Sequence, residues 1–115
     1  MKEKNQLERR LPAFAHACVA ICENMPTHPR GAHVADQLFR AATRAAATHN
    51  EALGASTRKD FRFKLCETLK ETREARFWLG VAKAAGWKVK GLTEAIDEAN
   101  QLVAMLTAAV KTLSE

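Results

Sequence analysis

Five basic side chains are spaced to meet phosphates. Arg40 and Arg44 stand one turn apart on the polar side of one helical segment, and Arg58, Lys59 and Arg62 gather at the start of the next. A helix N-terminus adds free N–H groups and the positive end of its dipole, so such clusters suit an anionic backbone. Asp36, Glu51 and Asp60 lie among them and dilute the field. No aromatic residue is interleaved with these bases in the way that stacks single-stranded nucleotides. A solvated charged face is the competing reading of the same residues.

Other chemistry has weaker signals. No Ser/His/Asp or Cys/His order marks a nucleophile, and no glycine-rich phosphate loop follows a strand. Glu51, Glu71 and Glu74 are carboxylates on adjacent helical segments and could form an acid–base pair. Ion pairing with Arg44, Lys64, Lys70 and Arg73 accounts for them more simply. His16, Cys18 and Cys22 fall within seven residues, and the two thiols are spaced i, i+4 on one helical face. A structural zinc needs four ligands, and the others are not within reach. Cys18 also sits on the apolar stripe, where a small buried thiol is ordinary. No metal and no cofactor are therefore expected. His28 and His33 flank a loop and are expected in solvent. Trp78, beside the apolar stripe, and Trp87, just after Gly86, read as packing residues rather than as a ligand pocket.

Four helical segments must position these groups, over about residues 5–24, 31–53, 57–85 and 91–113. In the first, Leu7, Leu11, Phe14, Cys18, Ile21 and Met25 recur at steps of three and four. The run Met25-Pro26-Thr27-His28-Pro29-Arg30-Gly31 ends it. The second aligns Val34, Leu38, Ala41, Ala45, His49 and Ala52 on one face. After Gly54-Ala55-Ser56, the run Thr57-Arg58-Lys59-Asp60 reads as a capping box with Asp in place of the usual Glu. The third carries Phe61, Leu65, Thr68, Thr72, Ala75, Leu79 and Ala82, and Gly86 stops it. The fourth carries Leu92, Ile96, Ala99, Val103, Leu106, Val110 and Leu113. The expected fold is all-α: a single domain, residues 1–115, forming an antiparallel up-down-up-down four-helix bundle.

The third helix has a second apolar face. At 100° per residue, Phe63, Cys66, Phe77, Val81 and Ala84 cluster opposite its main stripe. A lone bundle would leave both phenyl rings in water, so self-association through Phe63, Cys66, Phe77 and Val81 is expected.

Composition narrows the class. The chain has 115 residues, a net charge of +5, and 47% hydrophobic residues, enough for one packed core. Five Gly and three Pro are few for an all-β fold rich in tight turns. No apolar run approaches the roughly 20 residues of a membrane span. The N-terminal Met1-Lys2-Glu3-Lys4-Asn5-Gln6 lacks the apolar core of a signal peptide. With three cysteines and no secretory signal, reduced thiols and a cytoplasmic location are expected. Charge is uneven: residues 26–90 hold 13 bases and six acids, whereas residues 91–115 hold one base and four acids. A basic middle admits a polyanionic partner.

Three stretches resemble a known family. Asn50-Glu51-Ala52 at a helix end, then Ser56, Asp60-Phe61 and Lys64, then Leu69-Lys70-Glu71, Arg73-Glu74 and Trp78-Leu79 keep its characteristic order and spacing. They resemble the bacterial four-helix bundle proteins encoded in intervening sequences of large-subunit ribosomal RNA genes. The similarity spans about residues 33–113. One departure is Thr48-His49, where the family often has Asn-Tyr. The resemblance implies a homopentameric ring, and a structural polar network of Asn50, Glu51, Lys64, Glu71 and Glu74 fixing how the second and third helices face each other. It also implies distant kinship with the accessory variability determinant of diversity-generating retroelements, a basic pentamer that joins a reverse transcriptase and its RNA. A shared fold does not by itself carry function across.

The sequence thus leads to a non-enzymatic accessory module. It is expected to bind structured RNA or a ribonucleoprotein through Arg40, Arg44, Arg58, Lys59 and Arg62, repeated around a homo-oligomer, with no membrane contact. The alternative is a ring that docks a partner protein and touches no nucleic acid.

Overall fold

A computed structural model describes residues 2–114, with side chains from Gln6 to Ser114. Met1 and Glu115, the ends of the expected domain, lie outside the described residues. Four helices follow in order: α1 Lys2–Glu23, α2 Pro29–Leu53, α3 Arg58–Ala84 and α4 Leu92–Ser114. Among the described residues there is no strand.

The connections explain the boundaries. α2 starts two residues before the glycine at which its beginning is expected. Pro29 has no N–H to lose in a first turn, and its fixed φ suits that position. His28 caps this start, its Nδ1 accepting from the Gly31 amide at 3.1 Å. Gly31 is required by close approach, because a Cβ there would overlap the Pro26 carbonyl. α3 begins as expected, with the Thr57 hydroxyl accepting from the Asp60 amide at 3.0 Å. It ends in a Schellman turn: Trp87 N–H reaches the Ala82 carbonyl and Gly86 N–H reaches the Lys83 carbonyl. That turn needs φ near +78° at Gly86, a backbone conformation glycine adopts without strain.

Each helix packs against the two beside it, α1 on α2 and α4, and α3 on α2 and α4; among the described residues the backbones of the diagonal pairs do not approach each other closely. Short connections make all four neighbouring pairs antiparallel, giving an up-down-up-down bundle about 45 Å long and 20 Å across. The expected stripes of α1, α2 and α3 are buried, except that Phe61 is only partly covered. The expected stripe of α4 is buried at Leu92, Ala99, Val103 and Leu106, while Ile96, Val110 and Leu113 are half-exposed. Ala95 and Leu102 are buried as well, so the buried face is centred to one side of the expected stripe.

α2 and α3 share the most extensive contact and α1 and α4 the least. Arg10 closes the looser seam with a two-pronged bond to Glu98 (2.9 and 2.7 Å) and a third bond to Gln101 at 2.7 Å.

Candidate nucleic-acid interface

The five candidate cations fall into two groups. Arg58, Lys59 and Arg62 line an open concavity with Leu113 and Ser114, where the start of α3 meets the end of α4. Arg62 donates twice to the Ser114 hydroxyl, at 2.9 and 2.7 Å, and that hydroxyl donates to the Val110 carbonyl. No carboxylate is among the described residues that line this concavity. Arg62 is thereby held in place, whereas Arg58 and Lys59 are exposed and free to turn.

Arg40 and Arg44 do not join this group. The α2–α3 register is fixed by Thr48 opposite Thr68 and Glu51 opposite Lys64. At the helical rise per residue, Arg44 and Arg40 lie about 14 and 20 Å farther along the bundle axis than Arg62. Glu51 stands between, bonded to the Lys64 ammonium at 2.9 Å. That hydrogen bond holds the Glu51 carboxyl below its ordinary range and raises Lys64, and the Arg44 charge adds to the effect on Glu51. Both side chains are solvated, so the pair sets register more than it stabilises.

Of the expected polar network, Glu51 and Lys64 are joined, and Lys64 also approaches Glu67 at 3.4 Å. Asn50, Glu71 and Glu74 make no side-chain hydrogen bond or ion pair among the described residues. The polar contact that crosses the core is different. Thr48 and Thr68, both fully buried, place their hydroxyls 2.9 Å apart. Thr48 occupies the position where the resembled family often has Asn, and a hydroxyl fits the space between two closely packed helices. The neighbouring His49 is buried, and desolvation pushes its pKa down against the opposing pull of Glu8.

The outer face of α3 presents Phe63 and Phe77, 62% and 59% exposed, with Cys66 and Val81 half-covered beside them. Gly80 lies on the same helix, and a Cβ there would meet nothing within 4 Å.

The thiols and His16 do not converge. Cys18 is buried in the core, the Cys22 thiol donates to the Ala35 carbonyl at 3.2 Å, and His16 points to solvent. Burial pushes Cys18 up to about 12 and Cys22 up to about 11, so both stay protonated at neutral pH. No three His, Cys, Asp or Glu side chains gather as metal ligands among the described residues. None of the described helices is long and apolar enough to cross a membrane.

One grouping is not visible in the sequence. His28 lies edge-on to Trp87 (centroids 5.5 Å apart) and His33 edge-on to Trp78 (5.8 Å), at the end of the bundle opposite the Arg58 cluster. The histidines are exposed, as expected, and the tryptophans are partly covered by the core. What sequence spacing cannot show is that the α1–α2 connection carrying His28 meets the α3–α4 connection carrying Trp87, and that His33 of α2 faces Trp78 of α3.

No protein-family model matches the chain, and no curated protein matches it. Among solved structures, it is similar to a protein of unknown function from the S23 ribosomal protein family of Bacteroides thetaiotaomicron. The two share 22% identity at a TM-score of 0.84, over 95% of this chain and 98% of the other. At that identity the likeness speaks for architecture: the chain has the all-helical bundle fold of that protein.

Proposed function

We propose that this protein is a non-enzymatic, cytoplasmic accessory module that binds structured RNA or a ribonucleoprotein, and that it does so as a homo-oligomer, a pentameric ring. The observation that carries the reading is the Arg58, Lys59 and Arg62 concavity, where three cations gather at two helix ends with no carboxylate among the described residues that line it. A ring repeats that concavity, and phosphate affinity rises steeply with the number of contacts. The S23 ribosomal protein family name of the solved neighbour agrees with this reading, as does the resemblance to proteins encoded in ribosomal RNA intervening sequences. Support for a non-enzymatic role comes from the candidate groups themselves: Glu51 is engaged by Lys64, and the Cys18 and Cys22 thiols are held protonated. Arg40 and Arg44 form a second, separate phosphate contact on the α2 flank.

Reversing Arg58, Lys59 and Arg62 to Glu together tests this directly. RNA binding is expected to fall to background while light scattering still reports the oligomer. Unchanged affinity overturns the assignment.

The exposed phenyl rings of Phe63 and Phe77 favour a second reading, a ring that docks a partner protein through charge and apolar contacts alone. In that case reversing Arg40 and Arg44 dissociates the oligomer, and RNA affinity is absent from the outset.

A further inference from the structure

The end of the bundle opposite the Arg58 cluster holds an open cleft of about 620 Å³, lined by His28, Arg30, His33, Val81 and Trp87 among others. Two features set its chemistry. The first is charge. No Asp or Glu occurs between Arg76 and Thr93, a stretch that holds Lys83, Lys88 and Lys90, and none occurs between Asn24 and Ala35. No carboxylate is within ion-pair distance of Arg30, Lys83, Lys88 or Lys90 among the described residues. The second is an aromatic wall. Trp87, half-exposed just beyond the Schellman turn of α3, is held at one edge by the His28 ring. The His28 ring is held in turn because its Nδ1 accepts from the Gly31 amide, which leaves Nε2 as the nitrogen that can donate.

An indole with an arginine and a ring N–H beside it suits an unpaired nucleotide, with the base on the aromatic ring and the phosphate on the cation. The volume is in the range of small-ligand sites. Two other grooves differ: the one on the α1–α2 flank is lined by Glu23 and Asp36, which repel phosphate, and the Arg58 concavity has no aromatic side chain. A third, on α3, sets Arg73 and Arg76 beside Phe77, but that ring lies on the face expected to self-associate and Arg76 is bonded to Asn100.

We propose that this cleft binds an unpaired nucleotide of an RNA strand, its base against Trp87 and its phosphate on Arg30. The proposal rests on the RNA reading above and gives it a second contact, one that reads single-stranded segments while the Arg58 concavity holds the backbone of a duplex.

The test uses the full chain carrying Trp78→Phe, which leaves Trp87 as the reporting indole, and a ten-nucleotide adenine oligoribonucleotide. Saturable quenching of Trp87 fluorescence is expected. Affinity in the Trp87 variants is read from the anisotropy of the same oligonucleotide carrying a terminal fluorescein; it is expected to fall about tenfold or more with Trp87→Leu, to survive in Trp87→Phe, and to fall with Arg30→Glu. The last variant guards against misfolding, because an acid in the first turn of α2 favours the helix. The Arg58, Lys59 and Arg62 reversal is expected to leave this quenching in place.

Undiminished affinity in Trp87→Leu and Arg30→Glu overturns the cleft while leaving the Arg58 concavity standing. Loss of both oligonucleotide and duplex binding by the parent overturns the RNA reading itself. Adenosine monophosphate binding as tightly as the oligonucleotide assigns the cleft to a free nucleotide, and displacement by a polyglutamate peptide at equal concentration assigns it to an acidic protein; either overturns the proposal.

Discussion

The Thr48 hydroxyl lies 2.9 Å from the Thr68 hydroxyl, inside the sealed seam between α2 and α3. Each is also within reach of a carbonyl one turn back, Thr48 of Arg44 at 2.9 Å and Thr68 of Lys64 at 3.1 Å. The Ala45 carbonyl is also 3.2 Å from Thr48, so the two protons have acceptors to spare: one hydroxyl donates across the seam and the other donates to its own helix. Removing either side chain's oxygen breaks the cross-link without leaving an unpaired donor. Thr48→Val and Thr68→Val are each expected to cost about 1 kcal/mol in urea denaturation. The double variant is expected to cost less than the two together. Strict additivity would contradict the link.

Arg10 makes the principal polar bridge across the weaker α1–α4 seam, with side chains 21% and 30% exposed at the Arg10–Glu98 pair. Its forked geometry is better than that of an ordinary surface pair. Glu98→Gln keeps the shape and removes the charge, and is expected to cost about 1 kcal/mol. The loss should shrink in high salt. A salt-independent loss would point to packing instead.

Two glycines in helices should respond in opposite directions. A Cβ at Gly31 overlaps the Pro26 carbonyl, so Gly31→Ala forces the α1–α2 turn away from α2 and lowers the melting temperature. A Cβ at Gly80 meets nothing within 4 Å, so Gly80→Ala gains helix propensity and raises stability by about 1 kcal/mol. Equal effects at the two positions would refute this account of the turn.

His49 makes the bundle sensitive to acid. Its folded pKa is depressed by burial, so the unfolded chain takes up the proton first as pH falls. Stability from this group is fully present above its ordinary value of about 6.5 and is lost progressively below it. His49→Phe should flatten the stability profile between about pH 7 and 5.5. An unchanged slope in that variant would place the acid sensitivity elsewhere.

Helix number, order and most buried faces were legible because each apolar stripe repeats with the helical period. Leu11, Leu38 and Leu79 are buried where that period puts them. The start of α2 was less legible, since Pro29 reads as a breaker unless it is recognised as a first-turn residue. α4 was legible at Leu92, Ala99, Val103 and Leu106 but not at Ala95, which contributes little apolar signal beside Ile96 yet is buried in the seam. For the candidate site, local spacing identified the Arg58, Lys59 and Arg62 cluster. It did not show that Ser114 would anchor Arg62, or that Arg40 and Arg44 would lie apart from it. The His28–Trp87 contact is invisible locally because it joins the α1–α2 turn to the α3–α4 connector. It depends on both loops reaching the same end of the bundle.

Binding of the purified protein to a structured RNA across a salt series, with light scattering on the same sample, tests the central claim most directly. The account predicts micromolar or tighter affinity in an oligomer, with log K falling linearly and steeply against log salt as several phosphates per ring release counterions. No binding at about 50 mM salt would contradict it, and would leave the basic surfaces to solvent or to contacts between proteins.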